Sequence, residues 1–134
     1  MPHLVILYTP QLDAETDMPA LCRTLADTMI GVKDEKGQPV FPVGGVRVLA
    51  YPAAHSAVAD SQRDYAFVYL NLRMARGRSE VAQKNAGDAL TAAVRAHFAP
   101  VLAERPVGIT LQIDEGAEVF DAKLGNLHPL FNKS

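Results

Sequence analysis

The sequence predicts an α+β domain in which two tandem β-α-β units build one four-stranded sheet with two helices on one face. Three observations predict it. Apolar strands at 1–8 and 65–72 open the two halves of the chain. Each is followed by a segment of helical period, and each half then returns to a short apolar run. The halves, 1–63 and 64–134, read as a pseudo-repeat inside a single domain spanning 1–134. A chain of 134 residues, 49% of them hydrophobic, can build one real core.

The first strand, MPHLVILY, joins a processing signal to an apolar segment. A small residue after Met1 favours removal of the methionine, which would leave Pro2 as a free secondary amine at the mouth of the strand. Two readings of Pro2 stand side by side. It starts a strand, where its missing N–H does no harm, or it is a base, since an α-amino group titrates near ~8 in water and burial or a nearby cation lowers that value.

The acidic turn 11–17 leads into a first helix, with Pro19 tolerable only in its first turn. Met18, Leu21, Cys22, Leu25 and Met29 share one face, so Cys22 reads as a small packing residue. The charged stretch 31–42, with its glycines and prolines, is a loop. It runs into a second strand over 46–51, in which Arg47 stands among apolar neighbours. That arginine either reaches solvent or a carboxylate at the strand end, or binds an anionic ligand bidentately.

The linker 52–63 holds His55 and Asp60 without metal-ligand spacing. After the third strand and the turn 74–78, Ser79 is placed to cap a second helix, with Glu80 at the positive end of its dipole. Ala86, Ala89, Leu90, Ala93, Val94, His97 and Phe98 keep the helical period, which makes His97 a core-lining histidine, and the helix is expected to end near Pro100. Residues 107–114 alternate as a half-buried strand does.

The first and third strands carry apolar residues on both faces: Leu4 and Ile6 against Val5 and Leu7, Val68 and Leu70 against Phe67 and Tyr69. The face away from the helices therefore needs a cover, and in so short a chain other subunits are the economical one. The tail 115–134 shows no period and reads as a turn or short hairpin packed on a neighbour.

Composition narrows the function classes. A formal charge of −2 without any Lys/Arg block argues against a nucleic-acid partner. No apolar run approaches the ~20 residues that cross a bilayer, so no membrane partner is expected. One cysteine makes no internal disulfide. The absence of a signal-peptide pattern makes a cytoplasmic protein the expectation.

Pro2-His3, Phe41-Pro-Val-Gly-Gly-Val-Arg47, Asp64-Tyr-Ala-Phe-Val68, Gly77-Arg-Ser79, His97-Phe98 and the stretch 126–131 together resemble the 5-carboxymethyl-2-hydroxymuconate Δ-isomerases, a family of the tautomerase superfamily. The resemblance covers nearly the whole chain in order. It implies that Pro2, freed of Met1, is the catalytic base and that Arg47 and Arg78 hold and polarise the substrate. It also implies a homotrimer with sites between subunits, a small polycarboxylate substrate from aromatic (homoprotocatechuate) catabolism, and no cofactor or metal. The loop 33–39 is longer than the family leads one to expect and bears on the exact substrate. Another tautomerase activity on a related unsaturated acid is the alternative enzyme reading. A ferredoxin-like ligand-binding module is the alternative outside catalysis.

Overall fold

Strict alternation in β1 (His3–Tyr8) sends Leu4, Ile6 and Tyr8 to one side, where they are buried, and His3 and Leu7 to the other. The structure, a computed structural model, describes residues 2–131. Met1, whose removal the base role of Pro2 requires, and residues 132–134 of the tail lie outside the described residues. β1 pairs in parallel with β2 (Arg47–Pro52) and antiparallel with β3 (Ala66–Met74), and β3 pairs in parallel with β4 (Val107–Glu115). The strand order is β2-β1-β3-β4. Each parallel pair needs a crossover, supplied by α1 (Met18–Gly31) and α2 (Glu80–Glu104).

The two helices lie side by side on one face. Leu21, Leu25 and Met29 of α1 and Ala86, Leu90, Val94 and Phe98 of α2 meet Leu4, Ile6, Val68, Leu70 and Leu72 in one core. The register brings Leu4 opposite Leu72 and Ile6 opposite Leu70, so the two central strands present matched apolar rows to the helices.

On the far face, Leu7, Leu49 and Tyr51 remain 46%, 48% and 50% exposed, with Val5, Phe67 and Tyr69 half-buried beside them. A sheet face this apolar is left open by a single chain, as the pattern of β1 and β3 foreshadows.

Helix starts follow the sequence closely. Asp17 caps α1, accepting from the Ala20 amide at 3.0 Å. Ser79 caps α2: its Oγ accepts from the Ala82 amide at 3.1 Å and donates to Glu35 Oε1 at 2.8 Å. Ser79→Ala is expected to lower the unfolding free energy by about 1 kcal/mol, read as a lower urea midpoint at unchanged m-value. An unchanged midpoint would show that water replaces the cap at no cost.

One expectation is corrected. α2 does not stop near Pro100 but runs to Glu104. Proline removes one backbone bond and crowds the preceding turn, yet Phe98 and Val101 are buried on either side of it, and that burial carries the helix past it. At its end Arg105 is held by Glu15 at 2.7 Å and Asp64 at 2.8 Å. The tail, expected as a turn or short hairpin, takes the turn alternative among the described residues. It ends in a 3-10 turn, His128–Leu130, which packs against its own chain at Gly44.

Candidate active site

Parallel pairing of β1 with β2 sets the starts of both strands at one end of the sheet. His3 lies opposite Arg47, and the Arg47 amide donates to the Pro2 carbonyl at 3.2 Å. Pro2 is buried there. Before β2, residues Val43–Gly45 form a 3-10 turn that brings backbone close to Pro2. A Cβ at Gly45 would stand 3.2 Å from Pro42 Cγ, 3.4 Å from Pro2 Cδ and 3.6 Å from His128 Cε1. A side chain there would crowd Pro42 and sit in contact with Pro2 and His128.

Among the described residues the Arg47 guanidinium is oriented by backbone: Nη1 donates to the Gly44 carbonyl at 2.6 Å and the Val46 carbonyl at 3.1 Å. Arg78 follows Gly77, whose φ of 102° lies in the left-handed region. Its Nε donates to the Val40 carbonyl at 3.2 Å, its Nη1 donates to the Ala75 carbonyl at 3.1 Å, and its carbon Cζ sits 5.3 Å from the centroid of the Phe41 ring. Burial pushes the Arg78 pKa below its ordinary value. Such a shift leaves a guanidinium charged at any working pH.

Neither Arg47 nor Arg78 has a carboxylate partner among the described residues, whereas Arg23 and Arg73 each have one and Arg105 has two. Half-buried cations with no anion of the chain's own are suited to an anion supplied from outside. Arg47 with His3, Lys123 and His128 lines a cavity of about 420 Å³ at the start of β1. Arg78 lines a separate one of about 280 Å³, against the loop that carries Glu35 and Lys36. The single chain thus brings Pro2 and Arg47 together and holds Arg78 apart, at the other end of the segment 40–45.

The remaining titratable candidates are structural. His97 Nε2 lies 2.7 Å from Thr16 Oγ1 and its ring meets Phe98 edge-on, and burial pushes its pKa below the ordinary value. Burial pushes the Cys22 thiol up, which makes it a poor nucleophile. No group of three or more metal-binding side chains occurs among the described residues, and no helix among them is long and apolar enough to cross a membrane.

The 5-carboxymethyl-2-hydroxymuconate isomerase family matches residues 2–131, essentially the whole described chain. The chain belongs to that family. A crystal structure of a 5-carboxymethyl-2-hydroxymuconate Δ-isomerase is 57% identical, covering 100% of this chain and 95% of that one, with a TM-score of 0.95. A 5-carboxymethyl-2-hydroxymuconate isomerase from Deinococcus radiodurans R1 is 37% identical over 98% of this chain and 95% of its own, with a TM-score of 0.87. The 5-carboxymethyl-2-hydroxymuconate Δ-isomerase of Escherichia coli is 28% identical over 131 residues, 98% of this chain and 99% of that protein. The fold of this isomerase family is the four-stranded mixed sheet with two helices described above. Sequence reasoning assigned no role to His3, Lys123 or His128 in the cavity beside Arg47. The adjacent glycines Gly44 and Gly45 were the available signal, because paired glycines before a strand mark a close approach.

Proposed function

We propose that the protein is a tautomerase that isomerises 5-carboxymethyl-2-hydroxymuconate to its unsaturated 2-oxo acid isomer in the breakdown of aromatic compounds. The observation that carries this reading, together with membership of the isomerase family, is the pairing of Pro2 with an Arg47 that lacks a carboxylate partner among the described residues.

Once Met1 is removed, the Pro2 nitrogen is an amine with a free lone pair. It takes the proton of the substrate 2-hydroxyl, and the oxygen electrons form the C2 carbonyl. The double bond at C2–C3 moves to C3–C4, and the electrons of the C4–C5 double bond take the proton back from Pro2 at C5. One proton leaves oxygen and one arrives at carbon, so no redox partner is needed. Arg47 binds a carboxylate and stabilises the negative charge that develops on the C2 oxygen. Its charge also disfavours protonated Pro2, which brings the base toward the working pH.

Arg78 holds a second carboxylate in this reading. Its separation from Pro2 within one chain supports a site completed by assembly, and the open apolar sheet face supports a homotrimer as that assembly. The decisive experiment follows the ultraviolet spectrum of 5-carboxymethyl-2-hydroxymuconate with purified, methionine-processed protein, after light scattering has established the number of chains. Turnover by a three-chain particle is expected. A processed protein without turnover on this substrate would overturn the reading, and turnover by a stable monomer would remove the shared-site part of it.

A further inference from the structure

The cavity at the start of β1 holds more polar side chains than one arginine. Arg47, Lys123, His3 and His128 line it, with Asp121 as its acidic group. Asp121 is taken by Lys123 at 2.6 Å. His128 is half-buried, and its ring makes no hydrogen bond among the described residues. Its place is nonetheless well defined. The Leu130 amide donates to the Leu127 carbonyl and the Phe131 amide donates to the His128 carbonyl, each at 3.0 Å. The turn they close is seated on Gly44, where a Cβ would stand 3.1 Å from His128 Cα and 3.3 Å from its Nδ1. The next glycine is bracketed by Pro2 Cδ and His128 Cε1. The imidazole and the pyrrolidine ring are therefore neighbours across one missing methyl group.

We propose that His128 is a substrate-binding residue that donates a hydrogen bond to the carboxymethyl carboxylate of the ligand. The inference rests on the reading above and deepens it. A carboxymethyl-substituted muconate carries three carboxylates, and Arg47 and Arg78 account for two. The carbon that receives the proton from Pro2 is C5, which bears the carboxymethyl group, so that group must lie beside Pro2 during the transfer. His3 and His128 both line this cavity with ring nitrogens that the described chain does not engage, and the His128 ring reaches within 3.6 Å of the point beside Gly45 that Pro2 Cδ approaches to 3.4 Å. An imidazole offers an N–H in either protonation state. His128 thus selects for the substituent on C5, while Arg47 serves the reacting end.

The test compares two substrates, 5-carboxymethyl-2-hydroxymuconate and 2-hydroxymuconate, which lacks the substituent, on processed protein carrying His128→Leu or His128→Gln. Loss of a hydrogen bond to a charged group corresponds to roughly ten- to hundredfold. His128→Leu is expected to lower kcat/KM by about that factor on the tricarboxylate, mainly through KM, with a far smaller loss on the dicarboxylate. His128→Gln, which keeps a donor, is expected to recover most of it. Equal losses on both substrates would overturn the proposal in favour of a role in the fold or at Pro2, and so would no loss on either. Calorimetric binding of propane-1,2,3-tricarboxylate and of glutarate separates this proposal from the catalytic reading. If the wild-type protein turns over neither muconate, the catalytic reading fails alone. His128 is still supported if His128→Leu weakens only the tricarboxylate, and overturned if it weakens neither or both equally.

Discussion

Protein that retains Met1 is expected to isomerise its substrate about a hundred- to ten-thousandfold more slowly than processed protein of the same sequence, the span by which a positioned general acid–base accelerates a proton transfer. With Met1 in place the Pro2 nitrogen is a tertiary amide whose lone pair is delocalised into the carbonyl. It can neither accept the hydroxyl proton nor deliver it to C5. The comparison needs two preparations distinguished by intact mass and assayed side by side. In the processed form the acid limb of the kcat/KM profile is expected to report a single group titrating below the ~8 of a free α-amino group, because burial of Pro2 and the charge of Arg47 both disfavour its ammonium. Activity therefore falls as pH drops through that value. Equal rates for the two preparations would remove Pro2 from the mechanism.

Arg47→Ala and Arg78→Ala are each expected to cost roughly ten- to hundredfold in kcat/KM, the worth of a charge-assisted hydrogen bond to a carboxylate, with an unchanged circular dichroism spectrum. Neither side chain closes an ion pair with the described chain, so no buried carboxylate is orphaned by its removal. Each does give up bonds to backbone carbonyls, Gly44 and Val46 for Arg47, Val40 and Ala75 for Arg78. Water can replace the lost donor at exposed Ala75, while the buried Gly44 and Val40 carbonyls lie in short irregular segments outside the helices and strands. Arg47→Lys keeps the charge but not the planar fork, and is expected to restore only part of the loss. A variant with full activity has no share in binding. One that unfolds was held in the chain for its backbone contacts.

The architecture was readable because its signals are local and agree. Leu4, Ile6, Val68 and Leu70 alternate at period two, Leu21, Leu25 and Met29 recur at helical spacing, and Asp17 and Ser79 stand where caps are needed. Topology carried part of the candidate site as well. Pro2 and Arg47 open adjacent parallel strands, and Arg73, near the end of antiparallel β3, comes back opposite His3 at the same end. The course of the chain after β3 could not be read this way. The left-handed turn at Gly77 delivers Arg78 to Phe41 rather than to Pro2, and its direction depends on the loop 33–40 packed beneath it. Pro100 misled for the converse reason, since a local breaker signal lost to the burial of Val101, which only the assembled core reveals. His128 lies in an aperiodic tail, far in sequence from the Pro2 it adjoins.

Strand β1 occupies an interior position in the sheet, flanked by β2 and β3. Chain ends are ordinarily the first parts of a protein to fray, yet this one is hydrogen-bonded to neighbours along both edges and anchored by Leu4 and Ile6 in the core. Pro2 stands immediately ahead of that strand, buried and with its carbonyl accepting from the Arg47 amide at 3.2 Å, so it is held against the middle of the sheet. A group at the start of a polypeptide thereby acquires the rigidity of its middle. It follows that a purification handle on this protein belongs at the other terminus, because any residue left ahead of Pro2 turns its nitrogen into an amide.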